Sequence, residues 1–286
     1  MIITVTLNPA IDKTVRIPDL IVGDLNRVQE VRFEIGGKGV NVSKFIKMLG
    51  GISVALGFIG GSNGELVEEN LTLLGIKNDF VRVDGESRTN TKIIEENGRV
   101  TELNEKGPSV ELGQIDKLIV KIEKYANEES IFVLSGSIPE GIENDIYKKI
   151  IKCVHDKGGR VILDADGEAF RIGLEAIPDM IKPNILEMSK INVDNLEVDK
   201  ITDDIIGNGV KTIVLSMGKD GAYFKREKNN ACYRKAVPVK VRNTVGAGDA
   251  MVAAMAYALE KNMKFEDMVD LCMTTSAHVI SQERTF

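Results

Sequence analysis

The carboxylate of Asp249 directly follows two glycines, Gly246 and Gly248, in the stretch Thr244-Val-Gly-Ala-Gly-Asp-Ala250. Glycine lets a backbone approach a ligand without interference from a Cβ atom. The run Met251–Leu259 is small and apolar enough for a tightly packed helix, and Val237-Pro-Val-Lys-Val-Arg242 before the turn alternates as a strand does. Strand, glycine turn and helix leave backbone N–H groups unpaired at a helix start, where the dipole adds positive potential. A carboxylate inside such an anion cradle repels bound phosphate unless it has a task. The natural task is to take a proton from an attacking hydroxyl. The competing explanation is a structural turn with Asp249 as its N-cap.

A second glycine turn, Gly36-Gly-Lys-Gly39, feeds the helical pattern Val40–Leu49, which Gly50 and Gly51 end. It is not a Walker loop, because that motif needs glycine where Arg32 stands and Ser or Thr where Gly39 stands. The alternative here is a flexible hinge with Lys38 solvated. Elsewhere Asp164, Asn184 and Glu187 form a series of oxygen ligands suited to a hard cation such as Mg²⁺ holding a nucleotide's phosphates. Lys38, Arg27 and Arg88 would suit a substrate that already carries phosphate. Taken singly, Arg88 and Lys92 read as surface charges. Only two histidines occur, His155 and His278, and no convincing Ser–His or Cys–His pair is visible. Direct transfer to a hydroxyl fits that inventory.

These residues need a scaffold that gathers them. Strands are expected at Met1–Leu7, Ser53–Ile59, Ser130–Leu134, Arg160–Leu163 and Thr212–Ser216, with a further segment from Met180 to Glu187. Between them lie helical patterns at Glu65–Leu74, Val110–Tyr125, Asn144–Lys157, Glu168–Ala176 and Asp203–Asn208. Such alternation implies an α/β fold: a doubly wound, mostly parallel sheet covered by helices on both faces. A hairpin is expected from Ala222 to Val239. Short antiparallel strands within 14–35, with Phe80–Val83, Asn90–Glu95 and Arg99–Leu103 around the turn Asn97-Gly98, suggest a small separate sheet. That sheet would be a lid built from about 12–35 and 88–104, within one domain spanning 1–286. Exits of parallel strands share one edge, so Asp12, Ser135, Asp164, Asn184, Ser216 and Asp249 are expected to meet there.

Composition narrows the function classes. The chain has 286 residues, 43% hydrophobic and 28% charged, enough for one sizeable core with a small appendage. Net charge is −6 with both signs mixed, which leaves no electrostatic footprint for nucleic acid or a membrane surface. Neither a signal peptide nor a membrane span is expected. Cys153, Cys232 and Cys272 are far apart and not in metal spacing, so reduced thiols in a cytoplasmic protein fit best.

Five segments together carry a resemblance: Thr6-Leu-Asn-Pro-Ala-Ile-Asp-Lys-Thr14, Gly36-Gly-Lys-Gly-Val-Asn41, Ser135-Gly-Ser-Ile-Pro139, Lys182-Pro-Asn-Ile-Leu-Glu187 and Val245-Gly-Ala-Gly-Asp249. In order and spacing they resemble the ribokinase-like (PfkB) carbohydrate kinases, and within them the 1-phosphofructokinase and tagatose-6-phosphate kinase branch, over nearly the whole chain. The resemblance implies ATP and Mg²⁺, with Asp249 as catalytic base and the amides of Gly246, Ala247 and Gly248 as the anion hole. Asp12, Gly37, Lys38 and Asn41 would hold the sugar, and Lys38, Arg27, Arg88 and Ser135 its phosphate. Asn184 and Glu187 would organise Mg²⁺ and nucleotide with Asp164 nearby, while Ser216, Gly218, Gly221 and Thr244 would line the ATP site.

The implied reaction is phosphorylation of a ketohexose phosphate, with D-fructose 1-phosphate ahead of tagatose 6-phosphate. A non-catalytic sugar-phosphate sensor and a nucleoside or coenzyme kinase are the other readings. A homodimer through the lid would cover its sheet edges. Two departures stand out. Asp166 occupies a position where the branch usually has serine. Relatives also continue through a further helix beyond Ser276–Gln282, so either the end is missing or the nucleotide site is less enclosed.

Overall fold

Segments such as Ile131-Phe-Val-Leu-Ser135 are apolar at nearly every position, which suits strands covered on both faces. A computed structural model describes residues 1–191, 198–227, 230–242 and 245–282. In chain order, β1 (Ile2–Thr6) is followed by β2 (Ala10–Ile17), β3 (Glu30–Gly36), α1 (Lys38–Met48), β4 (Ser53–Ile59) and α2 (Gly61–Leu73). The short β5 (Lys77–Asn78) and β6 (Val81–Arg82) precede β7 (Arg88–Glu95) and β8 (Val100–Asn104). Next come α3 (Leu112–Tyr125), β9 (Ile131–Ser135), α4 (Ile146–Asp156), β10 (Arg160–Asp164), α5 (Gly167–Leu174) and β11 (Met180–Ile181). The described remainder is α6 (Ile185–Ile191), α7 (Val198–Gly207), β12 (Thr212–Ser216), β13 (Ala222–Glu227), β14 (Asn230–Arg234), α8 (Ala247–Glu260) and α9 (Phe265–Ser281).

The main sheet runs β14-β13-β12-β11-β10-β9-β1-β4-β5, with β6 also on β4. Its pairings are parallel from β12 across to β5 and antiparallel only at β12/β13 and β13/β14. Strand alternation divides the interior between two faces. Phe132, Leu134, Val161 and Leu163 pack with Leu118 and Ile122 of α3 and Ile150 of α4. Ile131, Val133 and Ile162 pack with Phe45 of α1, Ala253 of α8 and Val269 of α9. Each such large apolar side chain contributes about 1.5–3 kcal/mol through burial. The doubly wound α/β sheet covered on both faces is therefore present.

The second sheet is ordered β3-β2-β7-β8. Here β2 is antiparallel to β3 but parallel to β7, because the chain crosses the main sheet through β4–β6 before returning. The antiparallel strands expected within 14–35 are β2 and β3, and the Asn97-Gly98 turn joins β7 and β8 antiparallel. Phe80–Val83 is misplaced by the pattern, since β6 pairs with β4 of the main sheet.

Residues 237–241 form no strand: the edge is already occupied by β14, Pro238 lacks a donor, and Arg242 N instead donates to Ile280 O of α9 at 2.8 Å. The hairpin is confined to β13 and β14, and the helix expected from Asp203 starts at Val198.

Candidate active site

Four parallel strands deliver their C-terminal ends side by side. Ser135 ends β9, Asp164 ends β10 opposite it, and Asn184 bridges to Ser216 at the end of β12. Two other residues arrive by different routes. Asp12 lies within β2 of the small sheet, not at a main-sheet exit, because β1 stops at Thr6 and the chain crosses over. Asp249 sits in the first turn of α8, whose N-cap Gly246 has φ 83°, a left-handed conformation natural to glycine. Ala250 N donates to Gly246 O at 2.8 Å, so the amides of residues 247–249 precede the first N–H that donates within the helix. At Gly248 an added Cβ would come within 3.3 Å of Lys182 Nζ.

The small sheet and the starts of α1 and α8 enclose a cleft of about 320 Å³. Asp12, Gly37, Lys38, Asn41, Arg88, Gly246 and Asp249 all line it. Register explains the contribution of the small sheet: Asp12 pairs with Glu34 and Asn90, and Thr14 with Arg32 and Lys92, which sets these residues on one face. Asn90 Nδ2 donates to Asp12 Oδ1 at 3.0 Å. A Cβ at Gly36 would lie 2.0 Å from Asp12 Oδ2, so glycine here leaves the Asp12 carboxylate its place. Gly37, at φ 104°, N-caps α1 against Pro9, so this turn is a packed joint rather than a hinge.

Charges are tightly coupled around the rim. Asp249 is 8% exposed, and Asn41 Nδ2 donates to its Oδ2 at 2.9 Å. Burial and then the charge of Asp164 push the Asp249 carboxyl up to about 6, against Asn41, Lys38 and Lys182. Burial works against the charge of Lys38, but Asp164, Glu187, Asp166 and Asp249 outweigh it and raise its pKa. Burial lowers the Arg88 guanidinium pKa, against Asp12 and Asp166. Asp164 faces Lys182 Nζ at 3.1 Å and Lys38 Nζ at 3.8 Å. Asn184 and Glu187 cap α6 reciprocally, Asn184 N to Glu187 Oε2 at 2.8 Å and Glu187 N to Asn184 Oδ1 at 2.9 Å.

The donor set fits Mg²⁺. Asp164 Oδ1 is ion-paired with Lys182 and Lys38, whereas its buried Oδ2 has no partner among the described residues and is a hard oxygen ligand. No group of three or more His, Cys, Asp or Glu converges among those residues, so phosphate oxygens and water would complete the coordination shell. The amides at the start of α8, ahead of the first intrahelical donor, fit a phosphate.

Not every expected residue reaches the cleft. Arg27 is exposed in the β2–β3 connection and is not part of the lining; Arg16, Arg32 and Lys92 stand on the cleft face instead. Ser135 is buried, with its Oγ unbonded among the described residues. Gly218 begins a short 3₁₀ turn, and Gly221 is required by the backbone, since a Cβ would lie 2.0 Å from Arg234 O. Thr244 lies outside the described residues. Lys182 and Lys44 went unassigned from sequence. Lys182 was visible only as the first residue of Lys182-Pro-Asn-Ile-Leu-Glu187, while Lys44 falls three residues after Asn41 on one helix face.

Comparison with known proteins sets this geometry in context. The model described as pfkB family carbohydrate kinase matches residues 5–285. A 1-phosphofructokinase of Borreliella burgdorferi is 37% identical over 272 residues, covering 93% of this chain and 87% of the relative. A tagatose-6-phosphate kinase of Staphylococcus epidermidis is 34% identical over 277 residues, covering 94% and 88%. The crystal structure of Escherichia coli phosphofructokinase-2 in complex with substrates and products superposes with a TM-score of 0.92 at 29% identity, covering 98% of this chain and 93% of that one.

Proposed function

This chain belongs to the pfkB family of carbohydrate kinases, phosphotransferases with an alcohol acceptor, and from that premise we propose that it transfers the γ-phosphoryl group of ATP to a ketohexose phosphate. D-Fructose 1-phosphate, giving fructose 1,6-bisphosphate, is the leading substrate, because the Borreliella burgdorferi relative is named for that activity at 37% identity. Tagatose 6-phosphate is the second reading, supported by the Staphylococcus epidermidis relative at 34%.

The observation that carries the reading is the joint lining of one cleft by Asp12, Lys38 and Asp249. Asp249, with its pKa raised to about 6, is matched to base catalysis near neutral pH. Its Oδ2 is committed to Asn41, so Oδ1 is assigned the proton. As the acceptor hydroxyl oxygen bonds the γ-phosphorus, the bond to the ADP oxygen breaks and the hydroxyl proton passes to Asp249. The amides of Gly246, Ala247 and Gly248 stabilise the charge on the moving phosphoryl group. Asp12 and Asn41 orient the sugar, while Lys38 and Arg88, with Ser135 behind them, answer its phosphate. Asp164 and Glu187 would hold Mg²⁺, which when bound neutralises charge on the nucleotide phosphates. Asn184, Ser216 and Gly218 flank the nucleotide.

The small sheet contributes one wall of the cleft, which supports a lid within one domain spanning 1–286. Its opposite face exposes Val31, Phe33 and Leu103, apolar surface that a homodimer through this sheet would cover. Three free cysteines support a cytoplasmic setting.

The test is ADP release with fructose 1-phosphate, tagatose 6-phosphate and fructose 6-phosphate at equal concentration. Highest kcat/KM with fructose 1-phosphate is expected. A preference for tagatose 6-phosphate reverses the order, and no turnover with any sugar phosphate overturns the reading.

A further inference from the structure

We propose that Lys44, a side chain not assigned a role above, is a positioning residue: it holds the Asn41 amide in the orientation that donates to Asp249, and it ties that orientation to the small sheet. The inference rests on the reading of Asp249 as the base. Lys44 is 3% exposed, and a lysine so deeply buried calls for a reason. Its Nζ donates to Ile35 O at 2.9 Å and to Asn41 Oδ1 at 3.3 Å. An ammonium group can only donate, so Asn41 must turn its carbonyl toward Lys44 and its NH₂ toward Asp249, 2.9 Å away. With the amide reversed, NH₂ would face ammonium and carbonyl would face carboxylate, two repulsive contacts replacing two attractive ones. Ile35 is the penultimate residue of β3, so the series Ile35–Lys44–Asn41–Asp249 runs from the small sheet to the proton acceptor.

The charged surroundings are consistent with this role. Glu34 and Asp12 face Lys44 from the small sheet and Asp249 faces it from α8, while burial, the larger effect, lowers its pKa. Asp249 in turn is faced by Asn41 and Lys38 of α1, by Asp164 of β10, and by Lys182 just beyond β11. Asn41 and Lys44 sit three residues apart on α1, the spacing that brings helical side chains together.

The experiment compares wild type, Lys44→Met, Lys44→Arg and Asp249→Asn, measuring kcat, both KM values, the acid limb of kcat/KM and the melting temperature. Lys44→Met is expected to lose about 10–100-fold in kcat, the scale of a misplaced reacting group. The KM for ATP should stay within about two-fold, the KM for the sugar phosphate should rise because Asn41 also orients the sugar, and the acid limb should move to higher pH, because a freed amide no longer supports the carboxylate. Lys44→Arg, which keeps the charge and the donors, should return both kcat and the limb toward wild type.

A structural role alone would lower the melting temperature without displacing the limb, and that result overturns the proposal, as does Lys44→Met with wild-type kcat. Should Lys44→Met not fold, NMR of the wild-type protein decides: the Asn41 side-chain amide and the Lys44 ammonium should both shift with the midpoint of the kinetic limb, and resonances that ignore it overturn the role. An active Asp249→Asn variant would instead bring down the base assignment and this inference with it. An inactive one beside a normal Lys44→Met isolates the failure to the present proposal.

Discussion

Replacing Asp249 by asparagine should nearly abolish turnover while making the free protein harder to unfold. Burial and the neighbouring Asp164 raise this carboxyl from 3.8 to about 6. The native state therefore binds the proton more tightly than the unfolded chain does. Stability is lost as pH climbs between those two values, and the loss is complete above the upper one. At about 1.4 kcal/mol per pH unit, the rise from 3.8 to about 6 sets an upper bound of about 3 kcal/mol.

The asparagine must still find a partner in the Asn41 amide, so a gain of about 1–2 kcal/mol at about pH 7.5 is expected, or roughly 3–6 °C. In parallel, kcat should fall by about 10²–10⁴-fold, the usual worth of a positioned base. Wild-type kcat/KM should be halved near pH 6 and drop tenfold per unit below it, following the Asp249 carboxyl of the free enzyme. A sugar phosphate has its own second ionisation at about pH 6. A limb that survives in Asp249→Asn belongs to the substrate. The assays are ADP release across pH and thermal melts of the free protein at about pH 7.5. Near-normal turnover in the variant would remove Asp249 from the base role. A variant that melts below wild type would refute the claim that this buried charge is held at a cost.

Two further expectations follow from the same rim. Lys182→Met strands the Asp164 carboxylate, 1% exposed and 3.1 Å from the lost ammonium. Urea unfolding should show a loss of about 3–5 kcal/mol, as for other broken buried ion pairs, and a loss below about 1 kcal/mol would mean that Lys38 alone suffices. Gly246→Ala places a Cβ at φ 83° and 3.1 Å from Phe45 Cζ, so it should cost about 1–2 kcal/mol and also reduce kcat by displacing the amides at the start of α8. Gly23→Ala, at φ 86° with nothing within 4 Å, carries the same backbone strain and should leave kcat unchanged; equal kcat losses in both would show that the anion cradle is not what Gly246 protects.

The sequence makes the alternation of strands and helices legible, because apolar runs at every position and 3.6-residue periodicity are local signals. It also determined that two glycine turns start helices and that Asp249 follows one of them. The serine, aspartate and asparagine at the ends of β9, β10 and β11 met as strand direction requires. Groups whose placement depends on distant partners became visible in the folded chain alone. Asn41 meets Asp249 across 208 residues of chain. Asp12 reaches the cleft on the small sheet because β2 leaves the main sheet altogether. Arg16, Arg32 and Lys92 replace Arg27 there, since strand register, invisible in composition, chooses which face a side chain takes. Lys44 and Lys182 look like ordinary surface lysines in the sequence; they are buried because carboxylates and carbonyls from other elements close around them. Local pattern sets secondary structure, whereas long-range packing sets the dielectric environment and the partner of each charge, and these in turn set the chemistry.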